Sequence, residues 1–517
     1  MNGQIRKVGL VLVLCFMALF AQLNWLQVYG ADRLEENPNN TRAIIRDFGR
    51  ERGIIATADG VVVARSLEVD DDLERERQYP EGDLYGHVTG HFAFNLGATG
   101  VEDTYNDLLA GQTDQQKYGD LGALLTGEDT TGNLTLTIRD DVQRVARDAL
   151  GERKGSVVVV DPRDGSVIAM WSFPSYDPNT LSTVDLAAAD AAWQRLRAED
   201  PASPDLPKTY RRSFPPGSTF KVVTASAGLG SDIVTPSDPV LPPSSGYTAP
   251  LTTSTIGNFG GSTCGGDLAN ALRVSCNTFF AELGAEILGP EPLIGQADAF
   301  GFNARPPIDL PAAEASTFPT DFGAVVGETD GDPPVPIVEN TPGLAQASIG
   351  QNDVAATPLQ MALVAAAVAN NGVVMTPHVM QEVRNRSGEL VEQYDESAWR
   401  VALRPSDAAT MRRLMLDVAA SGTATGLQVP GFEVGGKTGT AQTIAASDDT
   451  HAWIIGFAGP PGDAPTVAVA VIVEAEPGRG QQTGGTVAAP IAQQVLAAAL
   501  QPLPSAPANV DDLPADD

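Results

Sequence analysis

The first feature of the chain is a strongly apolar segment near its amino terminus. Two basic residues precede an apolar run over residues 8–21, and further apolar side chains extend it to residue 28. As a helix, residues 8–28 span about 31 Å, close to the hydrocarbon thickness of a bilayer. The pattern predicts a single transmembrane anchor over 8–28, with residues 1–7 in the cytoplasm and everything after residue 30 outside the membrane. A signal peptide cleaved after Gly30 is the alternative.

A change of hydrophobic period marks a domain boundary near residue 135. Apolar residues alternate over 134–138 and then recur at helical spacing over 142–150. We therefore expect an amino-terminal domain over 31–135 and a larger domain over 136–501.

The larger domain alternates predicted strands and helices. A β-hairpin is predicted over 156–171, with a Pro-Arg-Asp-Gly turn between its strands. A helix is predicted over 357–371, since proline favours its first turn and Asn-Gly ends it. Two apolar strands, 452–458 and 466–474, precede an Ala-rich helix over 487–500. This order predicts an α+β fold in which helices face an antiparallel sheet.

The composition excludes two classes of function. The 517 residues contain 33 Lys and Arg against 65 Asp and Glu, a formal net charge of −32. Such a surface repels phosphate backbones, so nucleic acid binding is excluded as the main function. Three cysteines and four histidines, in no metal-binding spacing, argue against a zinc enzyme. Residues 502–517, rich in Pro, Ala and Asp, are expected to form a disordered acidic tail.

Lysine is scarce in this chain. It occurs only at positions 7, 117, 154, 208, 221 and 437, and arginine supplies the other basic residues. A guanidinium does not deprotonate in proteins, whereas a buried amine can. The few lysines are therefore candidates for chemistry that arginine cannot perform.

One lysine lies three residues after a serine, in Ser218-Thr219-Phe220-Lys221. Because Pro-Pro-Gly precedes this segment and apolar residues follow it, Ser218 is predicted to open a helix. At i and i+3 the hydroxyl and the amine share one face, and the helix amino end favours a developing alkoxide. The pattern indicates a serine nucleophile with a lysine base. A lone S-x-x-K is more often a serine cap beside a solvated lysine.

Two further patterns strengthen this interpretation. Ser275-Cys276-Asn277 is an S-x-N sequence. Lys437-Thr438-Gly439-Thr440 follows two glycines and is predicted to form an edge strand beside a cleft. Each pattern alone is weak or moderate evidence, but the ordered set S-x-x-K, S-x-N and K-T-G is specific.

The motif set resembles that of the penicillin-recognising serine acyl-transferases, and among them the class B penicillin-binding proteins. The resemblance covers roughly residues 8–500 and implies a transpeptidase domain over 136–501, with a membrane anchor and an extended mixed pedestal domain over 31–135 before it. The pedestal departs from the family where Ala56-Thr57-Ala58-Asp59-Gly60 replaces the usual Asp-Arg-x-Gly. The segments that resemble the family outside the motifs are 52–54, 79–82, 100–102, 155–178, 347–351 and 357–360.

The resemblance implies a peptidoglycan D,D-transpeptidase that cross-links stem peptides and is acylated and inhibited by β-lactams. Ser218 would attack the penultimate D-Ala carbonyl of a D-Ala-D-Ala stem, and Lys221 would take its proton. Ser275 would relay a proton to the leaving D-Ala. Lys437 would keep Lys221 neutral and attract the substrate carboxylate. No metal and no cofactor are implied.

The other motif residues are implied to bind the substrate. Thr438 and Thr440 would hold its carboxylate, with Gly439 between them, and Asn277 would hold the peptide backbone. The backbone N–H groups of Ser218 and Thr440 would form an oxyanion hole, worth about 10²–10³ in rate per donor.

Three other functions share part of the pattern. A β-lactamase-like hydrolase needs efficient deacylation, and a D,D-carboxypeptidase releases its product without cross-linking. A scaffold for cell-division or elongation proteins would not need Ser218, Lys221, Ser275 and Lys437 together. Since nothing in the pedestal resembles a catalytic motif, we expect it to bind membrane division or elongation proteins, including a glycosyltransferase.

Two cysteines and one histidine lie in or near the motifs along the chain. Cys264 and Cys276 are 12 residues apart, and outside the membrane they could form a disulfide worth about 3 kcal/mol. Two separate buried thiols are the alternative. His451 is interpreted as a structural histidine instead of a catalytic base.

Overall fold

The computed structural model describes residues 2–28, 48–113, 116, 131–198, 203–331, 333–442, 449–478 and 480–503. Most of the predicted tail and parts of the predicted pedestal lie outside these residues. The chain divides into two compact units, residues 1–51 with 67–76, and residues 52–66 with 77–517. The first unit contains the helix α1 (Asn2–Val28). No helix in the described ranges combines the length and the apolarity needed to cross a membrane. The anchor over 8–28 stays a prediction.

Among the described residues the strands form one six-stranded sheet, one five-stranded sheet and five two-stranded ladders. The strands are β1 (Ile55–Ala56), β2 (Val62–Glu68), β3 (Arg75–Gln78), β4 (Phe92–Ala93), β5 (Gly97–Ala98), β6 (Gly132–Leu136), β7 (Gly155–Val160), β8 (Val167–Phe173), β9 (Leu241–Ser244), β10 (Gly246–Tyr247), β11 (Ile256–Gly257), β12 (Cys264–Gly266), β13 (Val325–Glu328), β14 (Pro336–Val338), β15 (Val373–Met375), β16 (Met380–Asn385), β17 (Leu390–Gln393), β18 (Ala398–Val401), β19 (Glu433–Gln442), β20 (Thr450–Gly459) and β21 (Val467–Val473).

Helices lie in some of the connections between these strands. The α-helices after α1 are α2 (Gly86–Thr89), α3 (Gly100–Thr104), α4 (Asn106–Leu109), α5 (Asp140–Leu150), α6 (Leu186–Ala198), α7 (Lys208–Arg211), α8 (Lys221–Gly230), α9 (Leu268–Arg273), α10 (Asn277–Glu282), α11 (Pro290–Ala299), α12 (Thr341–Ala347), α13 (Pro358–Ala369), α14 (Pro405–Ser421) and α15 (Ala489–Ala499). Short 3-10 turns cover Gly82–Leu84, Pro178–Thr180, Gly217–Phe220, Phe259–Gly261 and Thr425–Leu427, and π-helical turns cover Leu283–Leu288 and Gly484–Ala488.

The six-stranded sheet has the order β17-β16-β6-β1-β2-β3. β1 is parallel to β6 and antiparallel to β2. β16 is antiparallel to β6, with Val383 opposite Leu134. The sheet therefore combines strands from the predicted pedestal with strands from the predicted larger domain.

Residues 56–60, the segment that departs from the family pattern, contact the start of α5. The Asp59 carboxylate accepts hydrogen bonds from the backbone N–H groups of Asp140 (2.9 Å) and Asp141 (3.3 Å). These are the first two residues of α5, whose amino-terminal N–H groups have no partner inside the helix. Asp59 thus caps the first helix of the larger domain.

The five-stranded antiparallel sheet has the order β19-β20-β21-β7-β8. β7, β20 and β21 are buried along nearly their whole length, as expected for strands covered on both faces. β7 and β8 form the predicted hairpin, and β20 and β21 are the predicted carboxyl-terminal strands. β19 lies at the edge, with Lys437 opposite Ile455 of β20. The prediction of an edge strand at the K-T-G motif is confirmed.

Helices pack against this sheet. α13 contacts β7, β20 and β21, and each of its residues is buried. Its many alanines allow close approach to the strands, and the Thr357 hydroxyl caps it by accepting a hydrogen bond from the backbone N–H of Gln360 (3.1 Å). α5 contacts β8, and α15 contacts β21. The predicted α+β fold, an antiparallel sheet faced by helices, is confirmed.

Candidate active site

Ser218 lies in a tight turn that precedes α8. The sequence predicts that Ser218 opens an α-helix, but residues Gly217–Phe220 form a 3-10 turn and α8 begins at Lys221. The turn is held at its entry, because the Thr219 hydroxyl donates to the Pro216 carbonyl (2.8 Å) and the Trp453 indole donates to the Pro215 carbonyl (2.9 Å). Ser218 is half-buried at this junction.

Glycines bring three segments together around this turn. Gly217 has a φ of 53°, and its N–H donates to the Gly350 carbonyl (2.9 Å). A Cβ on Gly217 would lie 2.7 Å from the Thr440 carbonyl oxygen, and one on Gly350 would lie 2.2 Å from the Gly217 carbonyl oxygen. A Cβ on Gly439 would lie 2.8 Å from the Pro216 carbonyl oxygen. These contacts place the backbones of Ser218 and Thr440 next to each other.

Lys221 is fully buried, and its amine is directed at the S-x-N motif. The Nζ donates to the Ser275 carbonyl (2.8 Å) and to Asn277 Oδ1 (2.6 Å), and it lies 3.5 Å from Ser275 Oγ. Within the described part of the chain, no hydrogen bond joins Ser218 Oγ to Lys221 Nζ. The structure therefore joins S-x-x-K to S-x-N through Lys221.

Lys437 reaches the same motif from the edge strand. Its Nζ donates to Ser275 Oγ (2.8 Å) and to the Thr438 carbonyl (3.0 Å), and the side chain is fully buried. Ser275 itself has a φ of 61°, a left-handed conformation that is uncommon for a serine. The Ser275 hydroxyl thus lies between two lysines.

The substrate-binding candidates lie on two sides of this centre. The Asn277 Nδ2 donates to the Gly257 carbonyl (2.8 Å). Thr438 is buried and its hydroxyl is 2.6 Å from the Thr423 hydroxyl, whereas Thr440 is partly exposed. Thr423 is absent from the sequence prediction. Thr423 lies in a Ser-Gly-Thr turn at the end of α14. Nothing in that local sequence indicates that Thr423 contacts Thr438 in the folded chain.

The electrostatics of the two lysines differ from those of free amines. Burial, and secondarily the charge of Lys437, holds the pKa of Lys221 well below its usual value. Burial also lowers the pKa of Lys437, to about 7. A neutral amine at Lys221 can accept a proton, which is the property required of a base.

A third lysine is buried away from the motifs. Lys208 Nζ donates to Glu474 Oε1 at 2.6 Å, and both side chains are almost completely buried. Burial lowers the pKa of Lys208. The scarcity of lysine in the chain therefore does not by itself identify a catalytic lysine, since Lys208 forms a structural ion pair.

His451 and the cysteines have structural surroundings. The His451 Nδ1 accepts a hydrogen bond from the Ala475 N–H (2.9 Å), and burial lowers its pKa to about 4. These contacts are those of a structural histidine. Cys264 and Cys276 form a disulfide (S–S 2.09 Å) that joins β12 to the residue before α10. Among the described residues, no group of three or more His, Cys, Asp or Glu side chains could hold a metal ion.

Two family models match the chain. Residues 155–497 match the model described as the penicillin binding protein transpeptidase domain. Residues 52–134 match the model described as the penicillin binding protein A dimerisation domain.

Relatives match along almost the whole length. The peptidoglycan D,D-transpeptidase PbpA of Mycolicibacterium smegmatis is 38% identical, over 97% of this chain and 99% of the relative. The peptidoglycan D,D-transpeptidase PbpA of Mycobacterium tuberculosis is 34% identical over the same shares.

Solved structures are similar in fold. The ceftriaxone acyl-enzyme of penicillin-binding protein A from M. tuberculosis matches with a TM-score of 0.78 and 33% identity, covering 88% of this chain and 100% of that chain. Its imipenem acyl-enzyme matches with a TM-score of 0.77 and 34% identity, over the same shares. The resemblance predicted from the motifs is confirmed, and the chain belongs to the penicillin-binding protein transpeptidase family.

Proposed function

We propose that this protein is a peptidoglycan D,D-transpeptidase, which cross-links stem peptides through a serine acyl-enzyme and is acylated by β-lactams. One observation carries the proposal: the amines of Lys221 and Lys437, from two separate motifs, both reach Ser275 within hydrogen-bonding distance. The named activity of the PbpA relatives supports it.

The proposed acylation step uses Ser218 as the nucleophile and Lys221 as the base. The Ser218 Oγ attacks the penultimate D-Ala carbonyl carbon, and its proton passes to the neutral amine of Lys221. A bond forms between Oγ and the carbonyl carbon, and the carbonyl oxygen becomes an oxyanion. The N–H groups of Ser218 and Thr440 are the proposed donors to that oxyanion. The short approach of Gly217 to the Thr440 carbonyl oxygen, which places the two segments side by side, supports this proposal.

Collapse of this intermediate needs a proton at the leaving nitrogen. The C–N bond to the terminal D-Ala breaks, and the nitrogen takes the proton of the Ser275 hydroxyl. Lys221, now protonated and 3.5 Å from that hydroxyl, returns a proton to it. An amine from a neighbouring stem then attacks the ester carbonyl carbon. The C–N bond of the cross-link forms, the bond from that carbon to Ser218 Oγ breaks, and the proton lost by the amine passes through Lys221 to Oγ, which restores the free serine.

Substrate binding depends on positive charge and polar groups beside Ser275. Lys437 in its charged form attracts the substrate carboxylate, which Thr438 and Thr440 bind on the same strand. Asn277 holds the peptide backbone of the stem. In the same charged form Lys437 favours the neutral state of Lys221.

A three-product assay tests the proposal. The protein is incubated with a D-Ala-D-Ala donor peptide and a labelled amine acceptor, with Ser218→Ala as the blank. We expect labelled cross-linked peptide that disappears in the variant. Free acid as the sole product would indicate a D,D-carboxypeptidase, and turnover of penicillin without peptide products would indicate a β-lactamase-like hydrolase. A protein that makes no product and binds no penicillin would be a scaffold.

We also propose that residues 8–28 anchor the protein in the cell membrane, with the catalytic domain outside. The apolar run supports this, as do the exposed side chains along α1, among them Leu10 (65%) and Phe20 (71%). Alkaline carbonate extraction of membranes should leave the full chain in the pellet and release a variant lacking residues 1–30. Release of the full chain would contradict the anchor.

The pedestal is proposed to bind membrane division or elongation proteins, including a glycosyltransferase. A photo-crosslinking amino acid at Leu67, an exposed pedestal position, should yield an adduct with a membrane glycosyltransferase. Adducts with a second copy of this chain alone would contradict that partner.

A further inference from the structure

The S-x-N motif depends on contacts from outside its own helix. α10 begins at Asn277, and Cys276 at its N-cap position makes no side-chain capping bond. The first N–H groups of a helix have no partner within it. Ser275, just before the cap, is held in a left-handed conformation that costs free energy unless its surroundings impose it.

Asn258 supplies the missing contacts from a segment 19 residues earlier. Its Oδ1 accepts the backbone N–H groups of Asn277 (2.9 Å) and Thr278 (3.0 Å). Its Nδ2 donates to the carbonyls of Ser244 (2.9 Å) and Ser262 (3.0 Å). The residue is buried, and only a side-chain amide provides two acceptor sites and two donors at such a position.

Gly257, the residue before Asn258, links these contacts to Lys221. The Gly257 carbonyl accepts from Asn277 Nδ2 (2.8 Å), which directs Asn277 Oδ1 toward Lys221 Nζ (2.6 Å). The second contact of Lys221 is the Ser275 carbonyl (2.8 Å), in the turn directly before α10. These two contacts, and the 3.5 Å approach of the amine to Ser275 Oγ, therefore come from the turn that Asn258 holds.

We infer that Asn258 is a positioning residue for acylation, which acts on Lys221 through Asn277 and Ser275 without touching the substrate. The inference rests on the proposed function. A helix cap with a purely structural role would affect folding stability but would leave the protonation behaviour of Lys221 unchanged.

Two variants of Asn258 and one control separate these roles. Asn258→Ala removes all of its side-chain hydrogen bonds, whereas Asn258→Asp keeps the acceptor, loses the donors and adds a negative charge near Lys221. Asn179→Ala is the control, because the Asn179 amide also bonds the backbone of a distant segment. It accepts a hydrogen bond from the Tyr79 N–H and donates one to the Tyr79 carbonyl (both 2.8 Å). The measurements are the melting temperature and the pH profile of the second-order rate constant for acylation by fluorescent penicillin.

We expect Asn258→Ala to lower the acylation constant by about 100-fold, the loss typical of a catalytic group displaced by about 1 Å. Asn258→Asp should lose less of the maximum rate than Asn258→Ala, and its acid limb should move to higher pH because a nearby carboxylate stabilises the charged form of Lys221. Asn179→Ala should lower the melting temperature and leave acylation unchanged. If Asn258→Ala does not fold, the profile of Asn258→Asp decides.

The outcomes distinguish this inference from the proposed function. A wild-type protein that penicillin does not label would overturn the proposed function itself. Labelled wild-type protein with unchanged acylation in Asn258→Ala would overturn the inference. An Asn258→Asp variant that acylates at the wild-type rate across the whole pH profile would also overturn it, since Asn258 would then be only a helix cap.

Discussion

Lys437 Nζ donates a 2.8 Å hydrogen bond to the Ser275 hydroxyl, although the two residues are 162 positions apart. The bond fastens the edge strand β19 to the turn before α10. Because Lys221 contacts the same turn, the charge of one lysine affects the protonation of the other. The protonation states of the two amines are therefore coupled.

Replacing Lys221 with arginine should nearly abolish acylation. The guanidinium keeps the positive charge but does not deprotonate, so it cannot accept the Ser218 proton. We expect the acylation constant for fluorescent penicillin to fall by about 10²–10⁴, the usual contribution of a general base. Acylation at the wild-type rate would eliminate Lys221 as the base.

The acylation rate should depend on pH through both lysines. The rate rises with pH as Lys221 loses its proton, and it falls above about pH 7 as Lys437 loses the charge that attracts the substrate carboxylate. Stopped-flow acylation by benzylpenicillin across this range checks the expected bell shape.

Two controls assign the alkaline limb of that profile. A penicillin methyl ester has no carboxylate and should retain only the acid limb. Lys437→Arg should remove the alkaline limb for benzylpenicillin, because arginine stays charged. An alkaline limb that persists with the ester would mean that it does not report the attraction between Lys437 and the carboxylate.

Gly439→Ala should damage both stability and acylation. The new Cβ would lie 2.8 Å from the Pro216 carbonyl oxygen and 2.9 Å from Trp453 Cβ, which forces β19 away from the turn that carries Ser218. Overpacking of this kind costs about 1–3 kcal/mol. Urea unfolding and penicillin labelling measure the two effects.

The matched control is a glycine with open space around it. Gly295 lies in α11, and a Cβ there would meet nothing within 4 Å. Gly295→Ala should therefore stabilise the protein by about 0.5–1 kcal/mol through its helix propensity and leave labelling unchanged. Equal behaviour of the two variants would contradict the steric argument.

Lys208→Met should destabilise the fold by about 3–5 kcal/mol, because it leaves the buried Glu474 carboxylate without its partner. The double variant Lys208→Met with Glu474→Leu should recover most of that loss, since no buried charge remains. Urea unfolding of the wild type and both variants provides the free energies. A single variant as stable as the wild type would show that Glu474 is compensated by other groups.

Local patterns in the sequence predicted much of the large domain correctly. The β7–β8 hairpin, α13 and the strands β19–β21 each carry their own signal, either an apolar period or a turn with characteristic residues. The motif residues could be found for the same reason, because Ser218 and Lys221 are neighbours on one turn.

Relations between distant segments could not be predicted in this way. Asn258, Thr423 and the Lys208–Glu474 pair contact residues far away in the chain, and nothing in their local sequence indicates the partner. The same holds for the pairing of β16 with β6, since strand register between remote segments depends on the whole fold. Ser275 also has no local signal for its left-handed conformation, which its neighbours impose.

The glycine contacts around Ser218 limit how this enzyme can evolve under antibiotic selection. Gly217, Gly350 and Gly439 lie where backbones from separate segments approach too closely for any side chain. A drug-resistant lineage therefore cannot reshape the nucleophile's surroundings by substituting these positions. Adaptive substitutions will have to occur farther out, where a changed side chain alters drug entry and leaves this junction intact.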